Sequence, residues 1–372
     1  MAGVTQLHLD LHTAVSVVGG RLPHNFGIVQ IKKTRARKKP PAEPAAQTDV
    51  RLGRIVKLLS SYATVVVSGT KLASEIGTGR SEVWRLVQQL RALGVDIAGH
   101  PATGYRLKSM PDLLLPDVLA PMVQGTIFAK HIHHYYKIGS TNTTAMGAAN
   151  AGAPEGSVFV AEQQTEGRGR GANQWHSERS VGIYCSVVLR PALAPSEVLI
   201  LALASGLAVR SAVQEVNSLA NTDLKWPNDV LINGKKFCGI LTEMNAEITR
   251  VGHVVVGVGI NVNQLSFPPE LAPIATSLRL ATGTECSRVE LCGALLKSLD
   301  REYRNLLENP GARSSIIQRF QEHSSSVFGR HIFVEEHSGF EGVTEGLDDR
   351  GFLKVRTDAG LRTILSGTVR AK

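Results

Sequence analysis

Strand-like and helical segments are mixed within one stretch of this chain, residues 157–308. Five apolar runs are typical of strands: Ser157–Glu162, Val181–Arg190, Val230–Asn233, Phe237–Glu243 and Val254–Ile260. Asn233-Gly234 stands between two of them and is a strong signal for a type I′ hairpin turn. Two long helical patterns, Glu197–Asn217 and Arg288–Glu308, lie in the same stretch. This mixture excludes a pure βαβ repeat and predicts an α+β domain with a mixed sheet.

Residues 49–109 have a different pattern, in which three short helices precede a hairpin. The third helix follows Thr78-Gly79, has a continuous apolar stripe and ends at Gly94. Two short strands then flank His100–Gly104. This order of elements predicts a winged helix-turn-helix domain. Four residues near the start of its third helix should face outward, where a recognition helix meets base edges: Arg80, Ser81, Glu82 and Arg85.

The positive charge of the chain is confined to its first third. Residues 1–49 hold seven Lys and Arg against three Asp and Glu, and residues 50–112 hold nine against four. Residues 113–372 hold 25 of each, although the whole chain carries a formal net charge of +9. This asymmetry predicts that the front end contacts a nucleic acid or another polyanion. Residues 1–48 are expected to be a disordered basic tail, either solvated or following a DNA backbone.

The pattern changes again near residue 327. Short β runs alternate with glycine-bearing turns: His331–Glu335, Phe340–Gly346, Phe352–Thr357 and Arg362–Leu365. We therefore expect the mixed-sheet domain to span residues 116–323 and a small β-barrel to span residues 327–372. The chain has no apolar run near the roughly 18 residues of a membrane helix, so no membrane is predicted. Four separated cysteines without a CxxC spacing favour a reducing cytoplasm.

Four short segments have residue types suited to ligand binding: Gly139–Asn142, Gly167–Trp175, Lys225–Asp229 and Gly257–Asn263. In the second, three glycines let the backbone approach a ligand while two arginines offer forks for phosphate or carboxylate oxygens. It also matches a loose GxGxxA pattern, but a strand rather than a helix follows, so a dinucleotide fold is rejected. Lys225 leaves a rigid Trp-Pro backbone as a fixed positive charge. Asn261 suits magnesium or a nucleotide, and Ser140 also suits a helix N-cap.

In this order the segments resemble the biotin protein ligase family, in the bifunctional form that is also the biotin operon repressor. The matching pieces are GSTN at 139–142, GRGRGANQW at 167–175, KWPND at 225–229, KKFCGILTE at 235–243 and GVGINVN at 257–263. The resemblance covers about residues 50–372. It implies a class II synthetase-like catalytic domain, an SH3-like C-terminal β-barrel, ATP, Mg²⁺ and biotin. It also implies a biotin carboxyl carrier protein, operator DNA and a second copy of the chain as partners.

The same resemblance implies a two-step reaction. The biotin carboxylate attacks the α-phosphorus of ATP, and a carrier lysine then attacks the resulting biotinyl-5′-AMP. Residue by residue, it assigns biotin binding to Ser140, Thr141, Asn142, Gln164, Arg168, Gly169, Arg170 and Lys225. It assigns catalysis to Arg168, Arg170 and Lys225, and nucleotide contacts to Arg170, Asn228, Lys236 and Asn261, with Mg²⁺ near Asn261. Many bacterial members have the arginine-rich sequence GRGRRGR in this loop, whereas this chain continues after Arg170 with Gly171-Ala172-Asn173. We expect this difference to affect how readily the loop becomes ordered.

Three other interpretations remain open at this point. A lipoate–protein ligase shares the fold and the chemistry, although KWPND favours biotin. A ligase whose winged helix no longer binds DNA has the same motifs. A transcription factor with an inactive ligase domain is disfavoured by the intact Arg168, Arg170 and Lys225.

Overall fold

A computed structural model describes residues 44–62, 65–92, 94–109, 112–335, 339–365 and 368–371. The chain divides into two compact units at Ser109 and Met110. Most of the predicted basic tail, residues 1–43, lies outside the described residues.

The smaller unit is the predicted winged helix-turn-helix. Its elements are α1 (Pro44–Ser61), α2 (Gly69–Ile76), α3 (Arg80–Ala92), β1 (Asp96–His100) and β2 (Gly104–Ser109). Ser68 is the N-cap of helix α2, and its side chain accepts a hydrogen bond from the Lys71 amide. Gly77 is the C-cap, with a φ of +67°. The apolar stripe of α3 is fully buried against α1 and α2. The first helix begins at Pro44, earlier than the predicted domain start at residue 49, because proline is well tolerated in the first helical turn.

The larger unit is built on a mixed sheet, as predicted, with seven strands among the described residues rather than the five predicted runs. Its strands are β3 (Ile132–Tyr135), β4 (Val158–Ala161), β5 (Gly182–Leu189), β6 (Thr222–Lys225), β7 (Asp229–Ile232), β8 (Lys235–Ala246) and β9 (Val251–Asn261). The order across the sheet is β3-β4-β5-β9-β8-β7-β6, and only β3 and β4 are parallel. Asn233 and Gly234 both have positive φ in the β7–β8 turn, which confirms the predicted hairpin.

Helices cover both faces of this sheet. They are α4 (Pro116–Met122), α5 (Thr141–Asn150), α6 (Leu199–Val216), α7 (Leu278–Thr282), α8 (Arg288–Glu308) and α9 (Ala312–Glu322), with short 3-10 turns at Ile127–Ala129 and Pro195–Glu197. Helix α5 packs on β4, β5 and β9 from one side, whereas α6, backed by α8 and α9, covers the other. Because both faces are covered, every residue of β5 is buried.

Segment Pro195–Val216 is long and apolar enough for a membrane span by length and composition alone. An apolar segment of this length was not expected from the sequence. In the structure 72% of its most apolar window is buried, as expected for the core helix of a folded domain.

The C-terminal part is a small antiparallel β domain with five strands, one more than the four predicted runs. They are β10 (Phe328–Glu335), β11 (Phe340–Leu347), β12 (Leu353–Thr357), β13 (Gly360–Ile364) and β14 (Thr368–Ala371), in the order β13-β12-β11-β10-β14. Its core residues Val334, Leu347 and Val355 belong to the same hydrophobic cluster as the sheet domain. The β domain and the sheet domain are therefore packed on each other.

Candidate functional site

A cleft lies on the face of the seven-stranded sheet that carries the N-terminus of α5. It holds about 450 Å³, including space open to solvent. Gly239, Gly257 and Gly259 on neighbouring strands form its floor. A Cβ at Gly257 would lie 1.9 Å from Asn142 Oδ1, and one at Gly259 would lie 2.6 Å from the Trp175 ring. Glycine is therefore needed because both side chains rest directly on the backbone.

A row of hydroxyl and amide groups lines one end of the cleft. Ser140 is the N-cap of α5, and its Oγ accepts from the Thr143 amide, so the predicted capping role is confirmed. The backbone N–H and the hydroxyl of Thr141 both donate to Gln164 Oε1, at 2.8 and 3.1 Å. Gln164 Nε2 donates to Ser177 Oγ at 2.9 Å. The amide of Gln164 is thus held in one orientation, which pre-forms a polar pocket.

Asn142 connects this polar row to the opposite wall. Its Oδ1 lies 2.6 Å from Ser186 Oγ, and its Nδ2 donates to Glu243 Oε2 at 3.1 Å. The Glu243 carboxylate also accepts hydrogen bonds from both terminal nitrogens of Arg168, at 2.7 and 3.1 Å. This bidentate pair fixes the Arg168 guanidinium at the cleft. Sequence reasoning missed Ser186 and Glu243, although the second lies in the quoted KKFCGILTE segment.

The segment Gly167–Trp175 forms a compact hairpin-like loop over the cleft. Gly169 N donates to Asn173 O at 2.8 Å, and Asn173 N donates to Arg170 O at 3.2 Å. Trp175 N donates to Gly167 O at 2.9 Å and closes the loop. Asn173, one of the three residues by which this loop departs from the arginine-rich form, takes part in these bonds through its backbone N–H and carbonyl only.

Two cations and two polar acceptors meet at the other end of the cleft. Arg170 Nη1 donates to Asn228 Oδ1 at 3.3 Å, and Lys236 Nζ lies 2.7 Å from Asp229 Oδ1. Burial lowers the pKa of Arg170 from its ordinary value, and the neighbouring Asp229 opposes this change. Lys236 also lies over the Trp175 ring, 5.4 Å from its centroid. The cations are thus partly desolvated, which strengthens their attraction to a bound anion.

Nine of the eleven ligand and catalytic residues predicted in the sheet domain line the cleft: Ser140, Thr141, Asn142, Gln164, Arg168, Gly169, Arg170, Asn228 and Lys236. Lys225 does not. It ends β6, paired with Asp229 in the β6–β7 ladder, and its side chain has no hydrogen bond or ion pair among the described residues. Leu224 lies in the core, and since side chains alternate along a strand, Lys225 is on the opposite, cleft-side face.

Asn261, for which a nucleotide or metal contact was predicted, is also not among the residues that line the cleft. It is 4% exposed, and its Nδ2 donates to Thr276 O while its Oδ1 accepts from Gln264. Both ends of the amide are used, so Asn261 anchors the loop that follows β9. No group of three or more His, Cys, Asp or Glu suited to a metal ion occurs in the described part of the chain.

A buried ionic network stands behind the polar end of the cleft and was not predicted. Glu162, which is fully buried, accepts from Arg288 Nη1 at 2.9 Å and from the Leu114 amide at 2.9 Å. Its Oε1 also lies 3.1 Å from His134 Nε2. Burial would raise the pKa of Glu162, but the bond to His134 and the charge of Arg288 outweigh it and hold the pKa at about 2. Arg288 also binds Asp112, so the network fixes residues 112–114 against the sheet domain.

His134 of β3 belongs to the same network, whereas its neighbour His133 has different surroundings. His133 stacks on Phe159, with ring centroids 4.8 Å apart. The His134 side chain is only 5% exposed and pairs with Glu162. The partner lies 28 positions away in sequence, beyond any local spacing pattern.

The outer face of α3 carries the predicted DNA-contact residues. Arg80 and Ser81 are exposed, and Arg80 donates to Pro101 O of the turn between β1 and β2. Arg85 forms a bidentate pair with Glu82, at 2.6 and 2.8 Å, so these two charges offset each other. Trp84 on this face is 47% exposed and was not predicted. Its position outside the apolar stripe of α3 could have indicated in the sequence that Trp84 is exposed.

Three parts of the chain match known protein families. Residues 135–261 match the biotin/lipoate A/B protein ligase family, residues 327–370 match the biotin protein ligase C-terminal domain, and residues 51–106 match an HTH domain. The chain is 35% identical over 318 residues to the bifunctional ligase/repressor BirA of Bacillus subtilis, covering 85% of this chain and 97% of that protein. It therefore belongs to the biotin protein ligase family.

Two further comparisons cover the ligase part. The biotin–[acetyl-CoA-carboxylase] ligase of Mycobacterium tuberculosis is 35% identical over 233 residues, covering 61% of this chain and 83% of that protein. The solved structure of the Aquifex aeolicus biotin protein ligase in complex with biotin and ATP matches with a TM-score of 0.57 and 28% identity. That match covers 65% of this chain and 100% of the solved chain.

Proposed function

We propose that this protein attaches biotin to a lysine of a biotin carboxyl carrier protein, using ATP and forming biotinyl-5′-AMP. The observation that carries the proposal is the cleft that joins a neutral polar pocket to a cationic end. Biotin has a neutral ureido head and an anionic carboxylate, and ATP adds a polyanion. The neutral groups of Ser140, Thr141 and Gln164 suit the head, and the cationic end suits the carboxylate and the phosphates.

The first step needs two anions to be brought together. The biotin carboxylate oxygen attacks the α-phosphorus, and pyrophosphate leaves. Arg168 and Arg170 bind the anionic groups in the loop, and Lys225 offsets the charge that develops between carboxylate and α-phosphate. Asn228 and Lys236 contact the nucleotide. Fixed cations and backbone N–H groups suffice for this chemistry, so no protein nucleophile is needed.

Magnesium is part of this proposal as a companion of ATP. Asp229 and Glu243 lie next to the cleft, where their carboxylates pair with the lining residues Lys236 and Arg168. Because both carboxylates already have a cation of the protein as partner, Mg²⁺ would be held mainly by phosphate oxygens.

In the second step the ε-amine of a carrier lysine attacks the acyl carbon of the mixed anhydride, and AMP leaves. Incubation of the protein with ATP, Mg²⁺ and either labelled biotin or labelled lipoate tests both steps. Labelled biotinyl-adenylate and its transfer to a carrier domain support the proposal. Transfer of lipoate with no transfer of biotin would assign the alternative ligase.

Arg170→Gly should release biotinyl-5′-AMP faster. The guanidinium holds the adenylate from within the loop, and glycine removes that contact without adding bulk. Freed adenylate acylates exposed lysines, so bystander proteins such as serum albumin should become biotinylated. Streptavidin blotting and the rate of adenylate loss after dilution measure the effect. A variant that labels only its carrier, with the wild-type release rate, would contradict this role.

We also propose that the winged helix makes the protein a biotin-responsive repressor of biotin genes. One winged helix reads only a half-site, so specificity requires a dimer on a two-fold symmetric operator. The adenylate reports biotin supply and acts as corepressor by raising the dimer population. The +5 charge of residues 50–112 supports DNA binding, and the four buried free cysteines favour a cytoplasmic protein.

Affinity for the promoter DNA of biotin genes should rise when biotin and ATP are added and fall steeply with salt, because basic residues displace counterions from phosphate. Fluorescence anisotropy at several salt concentrations measures both effects. Deletion of residues 1–108 should abolish DNA binding and retain ligase activity. Absence of specific binding at concentrations where the adenylate-bound dimer is shown by ultracentrifugation would leave a ligase alone.

A further inference from the structure

The C-terminal β domain makes a buried contact with the KWPND segment. Trp226 is 4% exposed, and its indole N–H donates to the carbonyl oxygen of Gly351 at 2.9 Å, across 125 positions of sequence. Gly351 has a φ of +90°, and a Cβ there would lie 2.7 Å from Leu203 Cδ1 of α6. The turn Asp348–Gly351, between β11 and β12, is therefore held closely against the sheet domain.

The residues just before Trp226 are fixed by the chain that leads into the same β domain. Leu224 N donates to His323 O at 2.9 Å. The Asp223 carboxylate accepts from both the amide and the hydroxyl of Ser325, each at 2.7 Å. Strand β6 lies at the edge of the sheet, so it has β7 on only one side. The C-terminal contacts take the place of a second neighbouring strand.

This arrangement bears directly on Lys225. Leu224 and Trp226 both belong to the hydrophobic core, and Lys225 stands between them on the cleft-side face. Asn228, which binds Arg170, follows two residues after Trp226. A shift of the Trp226 ring would therefore move the backbone from which Lys225 extends.

We propose that the turn Asp348–Gly351 is a positioning element of the ligase site, in which the Gly351 carbonyl anchors Trp226 and thereby holds Lys225. This inference rests on the proposed ligase function. Trp226 and Gly351 touch no substrate and act through Lys225. The β domain is thus part of the machinery for adenylate formation.

Trp226→Phe tests the contact, because it keeps an aromatic ring and removes the N–H donor. The kcat for biotinyl-5′-AMP formation should fall about tenfold, since small displacements of a catalytic group have large effects on rate. The KM for biotin should stay within twofold, because the contacts to its head are untouched. In a Lys225→Ala background, Trp226→Phe should cause no further loss, since the residue through which it acts is absent.

A pair of glycine variants separates positioning from general strain. Gly351 and Gly360 both have positive φ in the β domain, but a Cβ at Gly360 meets no atom within 4 Å. Gly351→Ala should reproduce the tenfold fall in kcat, and Gly360→Ala should keep the wild-type kcat. Circular dichroism at the assay temperature confirms that each variant is folded.

Two results would overturn the inference. One is an equal loss on Trp226→Phe in the presence and absence of Lys225, and the other is an equal loss for the two glycine variants. Either result would show that the contact between Trp226 and Gly351 contributes only to stability, and in both cases the wild-type protein still forms adenylate. Failure of the proposed ligase function has a different signature, because the wild-type protein itself would then form no biotinyl-5′-AMP.

Discussion

Lys225→Ala should slow biotinyl-5′-AMP formation by about 100–1,000-fold, which corresponds to roughly 3–4 kcal/mol of transition-state stabilisation. Lys225 forms no ion pair among the described residues, and the carboxylate of its ladder partner Asp229 pairs with Lys236, so the Lys225 charge is available to the developing anion. Because the neutral pocket for the biotin head is unchanged, the loss should fall on kcat more than on the KM for biotin. Single-turnover formation of the adenylate is the direct measurement.

Lys297→Ala is the matched control for this substitution. Lys297 lies on α8, on the side of the sheet opposite α5 and the cleft, and its side chain is 45% exposed with an ion pair to Glu215. Loss of a lysine there should leave adenylate formation unchanged. If Lys225→Ala stays within threefold of the wild type, Lys225 is not in the reacting site.

Glu162→Gln should lower the free energy of unfolding by about 3–5 kcal/mol. Removal of one partner of a buried ion pair leaves the other charge poorly compensated in a poorly solvated site. Here that charge is Arg288, which is 1% exposed and would keep only the Asp112 carboxylate, 4.0 Å away. Urea unfolding followed by circular dichroism measures the change. Glu345→Gln is the control, because Glu345 forms a bidentate pair with Arg356 at the surface and should contribute little.

The same substitution should change the response to acid. The pKa of Glu162 is about 2 in the folded protein, below the value of roughly 4.3 expected for an unfolded chain. The unfolded state therefore binds the proton more readily, so this stabilisation is complete above about pH 4.5 and is lost as pH falls toward 2. Glu162→Gln should remove that part of the acid dependence. Parallel stability curves for wild type and variant between pH 4.5 and 2 would exclude this role of Glu162.

The sequence alone determined the elements and the parts of the site that depend on nearby residues. Arg288–Glu308 was predicted with the bounds that α8 has, because Ser287 and the apolar stripe lie within the helix or beside it. The β7–β8 turn followed from Asn233-Gly234, whose positive φ is a local preference. The binding segments were found because their glycines and charged residues are adjacent in sequence.

Only the tertiary structure decided which distant side chains meet. Glu162 and Arg288 are 126 positions apart, and they meet because the start of α8 lies beside the end of β4. The side chain of Asn261 turned inward because the loop after β9 offers Thr276 and Gln264 as partners. The reason for glycine at positions 257 and 259 became clear only from the positions of Asn142 and Trp175. A local sequence pattern predicts structure over one or two helical turns or one hairpin. The contacts named here depend instead on how whole helices and strands pack.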